Sequence, residues 1–131
     1  ECAGVDAIIV PERESVAASP DAMKTSAGAL NKVSVSRRKD LVQTVNYLKE
    51  SGLTVVAATE KGEDFYYTSD LTGPVALLLG AEDTGISPGL LKLADRKVSI
   101  PMEGAIGSLN VSVACGIIVF EVLKQRRQSM K

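Results

Sequence analysis

Two short loops concentrate the residues of this chain that could do chemistry. The first, Gly80-Ala81-Glu82-Asp83-Thr84-Gly85, packs glycines and carboxylates directly after the apolar run Val75–Leu79. The second opens at Ile100-Pro101-Met102, is broken by glycines, and closes on Ser108-Leu109-Asn110. Neither is a P-loop, because no Gly-Lys-Ser/Thr follows, and neither carries GxGxxG. Glu82 and Asp83 would also repel a pyrophosphate. Acidic residues beside backbone-accessible glycines suit a ligand bearing hydroxyls or positive charge, such as a ribose or a sulfonium. Ile100, Pro101, Met102 and Leu109 offer apolar walls and main-chain groups suited to an adenine ring. Taken singly, each feature has a plainer reading. Glu82 is then a solvated turn residue, and Ser108 and Asn110 only cap a helix.

The elements around these loops follow from local signals. Val5–Val10 reads as a strand closed by Pro11, and Ser19-Pro20-Asp21 as a helix start with Ser19 at the N-cap, the helix ending near Gly28. Val33–Ser36 reads as a short strand. Asp40 caps an amphipathic helix in which Leu41, Val45 and Leu48 share a face and Gly52 lies just past the end. Leu53–Ala58 and Val75–Leu79 lack alternation and predict strands buried on both faces, with Thr59–Asp70 a polar loop between them. Ser87-Pro88 starts a short helix over Leu90–Ala94, and Arg96–Ile100 predicts the last strand. A long helix then runs from Asn110 to about Arg127. Its apolar residues lie nearly all round it, so it should be buried on every side, against the sheet and against a second copy of the chain. Strands alternating with helices predict an α/β fold with a mostly parallel sheet covered by helices on both faces.

Composition narrows the function classes. The chain of 131 residues is the size of one domain and has a formal charge of −1, so no broad basic footprint for nucleic acid is visible. Arg37-Arg38-Lys39 is the densest basic cluster and reads as a solvated face. Histidine is absent, which removes the usual general base and the usual metal ligand, and no metal site is expected. Cys2 and Cys115 are isolated, which fits a reducing cytoplasm, and Cys115 reads as core. No apolar stretch is long enough to cross a bilayer. Tyr66-Tyr67 reads as a partly buried loop anchor rather than a base-stacking pair.

Together the two loops resemble the second and third motifs of the SpoU-type branch of the SPOUT superfamily, the TrmH-like RNA 2′-O-ribose methyltransferases. Leu78-Leu79-Gly80-Ala81-Glu82-Asp83-Thr84-Gly85 is similar to the second motif. Ile100-Pro101-Met102 through Ser108-Leu109-Asn110-Val111-Ser112-Val113-Ala114 is similar to the third. The likeness extends upstream through Ser26-Ala27-Gly28-Ala29 and covers essentially the whole chain. It implies a single catalytic domain over residues 1–131 with a C-terminal deep trefoil knot, an exception to the rule that chains are unknotted. It also implies S-adenosylmethionine as cofactor, RNA as partner (rRNA more than tRNA), and a homodimer through the last helix. By the same resemblance, Gly80, Ile100 and Leu109 would bind the adenosyl part, with Thr59 beside them. Glu82, Ser108 and Asn110 would arrange the active site and the incoming ribose. The family's first motif carries an Asn and a catalytic Arg that this sequence lacks. Glu1-Cys2-Ala3-Gly4 matches the family's residues just after that motif, so the resemblance puts the Arg upstream of residue 1 and implies that the chain lacks its first strand and helix. Gly107 stands where a Ser is common. The alternative is a dimeric remnant that binds RNA or cofactor without chemistry.

Overall fold

The computed structural model describes residues 2–11, 34–80, 85–104 and 109–130. The chain divides into two compact units, Glu1–Thr44 and Val45–Lys131. In the first unit, β1 (Ala7–Pro11) pairs in parallel with β2 (Ser34–Arg38), Ala7 standing opposite Ser34 and Pro11 opposite Arg38. Both strands fall within two residues of their expected positions, and Pro11 belongs to β1 rather than ending it. The helix expected from Ser19 lies outside the described residues.

Helix α1 (Leu41–Glu50) has the ends its sequence encodes. Asp40 Oδ1 accepts from Gln43 N–H at 3.2 Å, satisfying a first-turn donor. At the other end Gly52 takes φ +98°. Its N–H reaches Lys49 O at 3.0 Å and Leu53 N–H reaches Leu48 O at 3.1 Å. That pair of bonds is the glycine-terminated helix stop.

The second unit is built on a parallel sheet of order β4-β6-β3-β5. Its strands are β3 (Thr54–Ala58), β4 (Asp64–Phe65), β5 (Val75–Leu78) and β6 (Arg96–Ser99). Between β5 and β6 lies the short helix α2 (Pro88–Leu91), with Ser87 as N-cap and Pro88 in its first turn. Central strand β3 is buried on both faces as its unbroken apolar run predicts, Val55, Val56 and Ala57 each being 0% exposed. β5 is different. Among the described residues it is the outer strand of this sheet, and it is half-buried along its length. The expected polar loop Thr59–Asp70 also contains β4, a two-residue strand paired with β6.

Helix α3 (Val111–Ser129) closes the core. Its Ile118 packs with Val56, Leu71 and Val98, and Val122 lies against the same cluster with Ile100 and Tyr66. Burying each such side chain stabilises the unit by about 1.5–3 kcal/mol. Within one copy the helix is buried along one side. Ile118 and Glu121 face inward, while Val113 and Phe120 are each 51% exposed. That half-exposed apolar stripe is the face expected to meet a second copy. Glu121 is tolerated inside because Gln125 Nε2 donates to it at 2.8 Å and Lys124 Nζ stands 3.5 Å away. At the lower rim, Asp95 satisfies β3: its Oδ2 accepts from Val55 N–H, and its own N–H donates to Val55 O, both at 2.8 Å.

Candidate functional site

Because β5, β3 and β6 are neighbours and all run parallel, their carboxyl ends leave the sheet at one edge. Ala57 lies opposite Leu78, and Ala58 opposite Val98, so Thr59, Gly80 and Ile100 follow at about the same level. Loops at the carboxyl edge of a parallel sheet are where such folds bind ligands. The sheet therefore brings together three residues that are separated by tens of positions in the chain.

Each of the three is held for a specific reason. Thr59 N–H donates to Val98 O at 2.9 Å, Gly62 N–H returns to Thr59 O at 3.0 Å, and the Thr59 hydroxyl accepts from Lys61 N–H at 3.3 Å. This turn requires Gly62, since a Cβ there would stand 2.6 Å from Val98 C and 2.8 Å from Ser99 N. Sequence reasoning passed over Gly62; its only signal was a lone glycine soon after a buried strand. Gly80 is equally confined. A Cβ on it would lie 2.5 Å from Ile86 N and 2.6 Å from Gly85 Cα, so the backbone of Gly85 and Ile86 lies directly against it. Gly85 itself takes φ +69°, a conformation that suits glycine. Ile100 is half-buried and joins the main core, which pins the start of the second loop.

Leu109 and Asn110 stand at the head of α3. Asn110 Oδ1 accepts from Ser112 N–H at 2.8 Å and its carbonyl accepts from Ala114 N–H at 3.0 Å, which makes it the N-cap. Capping is thus one job of Asn110, which stands exposed at the head of the helix. Leu109 is 37% exposed. Glu82 and Ser108 lie outside the described residues. Among the described residues no cluster of acidic or sulfur side chains could hold a metal ion, and no helix is long and apolar enough to cross a membrane. A groove of about 300 Å³ lies elsewhere, lined by Phe120, Leu123, Lys124, Arg127 and Gln128 in the second half of α3. It belongs to the exposed stripe of that helix rather than to the loop edge.

Tyr66 and Tyr67 part company. Tyr66 lies against the core as expected of an anchor, whereas Tyr67 is 48% exposed. Both lie in the turn that follows β4, closed by Thr68 N–H on Phe65 O at 3.1 Å, and that turn sends one ring in and its neighbour out.

Comparison with known proteins converges on one group. The description SpoU rRNA Methylase family matches residues 1–120. The chain is 39% identical over 127 residues to the 23S rRNA (guanosine-2′-O-)-methyltransferase RlmB of Shewanella oneidensis, covering 97% of this chain and 52% of that protein. The chain thus spans about half the length of the curated relatives it matches. Among solved structures, the TrmH/SpoU tRNA modifying enzyme of A. aeolicus superposes with a TM-score of 0.83 at 32% identity, over 98% of this chain and 65% of that one. The AdoMet-bound rRNA methyltransferase of Sinorhizobium meliloti gives 0.86 at 28% identity, over 94% of this chain and 47% of that one.

Proposed function

The chain belongs to the SpoU rRNA Methylase family, and from that premise we propose that it forms the catalytic domain of an S-adenosylmethionine-dependent RNA 2′-O-ribose methyltransferase acting on rRNA. The observation that carries the reading is the convergence of Thr59, Gly80 and Ile100 on one edge of a parallel sheet. The residues fit the cofactor. None of Thr59, Gly80, Ile100 and Leu109 is cationic, so a sulfonium meets no like charge there, and Ile100 and exposed Leu109 supply apolar surface for adenine. S-adenosylmethionine, when bound, supplies an electrophilic methyl group.

In this reading, main-chain groups of Gly80, Ile100 and Leu109 hold the adenosyl part, with Thr59 beside them. Glu82, Ser108 and Asn110 orient the ribose, whose 2′-oxygen gains the methyl and loses its proton. The trefoil knot, a cytoplasmic location and the treatment of residues 1–131 as one catalytic domain belong to the same proposal. The relative named for 23S rRNA supports rRNA over tRNA as the substrate. The half-exposed Val113 and Phe120 support a homodimer packed through α3, since a second copy would remove that apolar stripe from water.

The experiment is methyl transfer from labelled S-adenosylmethionine to rRNA, beside calorimetry of cofactor binding. Asn110→Asp is the informative variant, because Asp caps a helix as well as Asn but lacks the amide donor. It is expected to keep its helix content and cofactor affinity while losing about a hundredfold or more in transfer, as for other positioned donors. Full activity in Asn110→Asp would remove Asn110 from the site. No cofactor binding by the unaltered protein would overturn the function itself.

A further inference from the structure

Three of the five aromatic residues in the chain stand in a row at Phe65-Tyr66-Tyr67, and none belongs to the cofactor and ribose site. The backbone beneath them is fixed. β4 pairs with β6, placing Phe65 opposite Ser99, and Tyr66 N–H donates to Ser99 O at 2.9 Å. Phe65 O accepts from both Thr68 N–H at 3.1 Å and the Thr68 hydroxyl at 3.0 Å, which closes the adjoining turn. Tyr66 is the inward anchor, packed against the core. Its two neighbours are left in water, Phe65 44% and Tyr67 48% exposed.

The rings are already organised. The Phe65 and Tyr67 centroids are 5.5 Å apart with planes tilted by 32°, and Tyr66 meets Tyr67 edge-on at 5.1 Å and 88°. An edge-on partner fixes one ring without covering all of its face. Position adds a second argument. β4 is parallel to β6, so it leaves the sheet at the same edge as Thr59 and Ile100. Charge adds a third. Glu60, Glu63, Asp64 and Asp70 stand against Lys61 and against Arg96 and Lys97 of the paired β6, so the surroundings are slightly acidic and offer no basic patch to a phosphate, while the neutral face of a base meets no such barrier.

We infer that Phe65 and Tyr67 form a stacking platform for a nucleobase of the RNA substrate, next to the proposed methyl-transfer edge. The inference rests on the RNA methyltransferase reading and adds a positioning surface to it. Stacking on aromatic rings is indifferent to base identity and releases no counterions. The platform thus holds an unstacked base while phosphate contacts are made elsewhere.

The test compares the unaltered protein with a Phe65→Leu/Tyr67→Leu double variant, which keeps apolar bulk but removes both π faces, and with Tyr67→Trp. Fluorescence anisotropy with a single-stranded RNA oligonucleotide gives RNA affinity, and transfer assays give KM and kcat. Calorimetry gives cofactor affinity, and sedimentation gives the oligomeric state. The double variant should bind RNA about 5- to 100-fold more weakly, with KM raised to match. That ratio should be the same at about 50 and 200 mM salt, because no phosphate contact is lost. kcat at saturating RNA and cofactor affinity should hold, and Tyr67→Trp should bind as well as the unaltered protein. Unchanged RNA affinity in a double variant that is folded and binds cofactor overturns the platform but leaves the methyltransferase reading standing. Loss of self-association with RNA affinity unchanged also overturns it, since the rings would then cover a second copy. An unaltered protein that binds neither cofactor nor RNA overturns the underlying reading, and the platform with it.

Discussion

Gln125 fastens α3 to the connector between β4 and β5, and its removal should be felt through the whole second unit. Its Oε1 accepts from Leu71 N–H at 2.7 Å, while its Nε2 donates to Ser69 O at 3.1 Å and to Glu121 Oε2 at 2.8 Å. The groups it serves are buried: Leu71 is 0% exposed, Ser69 5% and Glu121 8%. Gln125→Ala leaves an N–H, a carbonyl and a carboxylate short of partners. Each such group costs about 1–3 kcal/mol, partly offset by water entering the half-buried position, so a net loss of about 3 kcal/mol is expected. With an m-value of about 2 kcal/mol/M, the urea midpoint falls by about 1.5 M. At about 2.1 cal/mol/K per residue over 131 residues, the same loss lowers Tm by about 11 °C.

Gln125→Glu sharpens the test. It can still accept from Leu71 but, when ionised, cannot donate, and it faces Glu121 with a second carboxylate. One of the pair then keeps its proton to a higher pH folded than unfolded. A raised folded pKa means that the stability is full below the unfolded value of about 4.3 and is lost as pH rises through the folded value. The gap to the unaltered protein should therefore be small near pH 4 and widen towards neutrality. Urea unfolding followed by tyrosine emission reads both variants, since Tyr66 and Tyr67 lie just before Ser69. A midpoint shift below about 0.3 M for Gln125→Ala, or a pH-independent gap for Gln125→Glu, would refute the reasoning.

Two further outcomes concern the loops and the thiols. Gly80→Ala forces its Cβ against the backbone of Gly85 and Ile86. It should cost about 1–3 kcal/mol of stability and weaken S-adenosylmethionine binding by calorimetry. Gly89→Ala, whose Cβ meets nothing within 4 Å, is the control that should bind normally. Burial raises the pKa of the Cys115 thiol, whereas Cys2 is exposed. A disulfide reagent should therefore react in two phases, of which Cys2→Ser removes only the fast one. The raised folded pKa adds stability that is present below the unfolded thiol value and lost as pH rises through the folded one. A single rate for both thiols near pH 8 would contradict this.

The features legible in the sequence were local ones. The ends of α1 lie at Asp40 and Gly52, the start of α2 at Ser87-Pro88 and the cap of α3 at Asn110, because each depends on bonds within a few residues. The buried character of β3 was legible in its unbroken valines and alanines. The two loops stood out as candidate sites from their residue types, and their spacing carried the resemblance to the methyltransferase family that the comparison shows. The roles of Glu82 and Ser108 rest on that resemblance, since both lie outside the described residues. Other properties belong to the tertiary structure alone. β4 is a strand only because residues 64–65 meet residues 98–99, and no local propensity announces so short a pairing. Among the described residues the strand order leaves β5 at the end of its sheet, half-buried where the middle of central β3 is fully buried. Gly62 and Gly80 are required by backbone that approaches them closely, and in the case of Gly62 that backbone comes from β6, far along the chain. Whether an apolar ring is hidden or offered to solvent is likewise a matter of what packs against it. That is why Tyr66 became core while Phe65, Tyr67, Val113 and Phe120 remained surfaces.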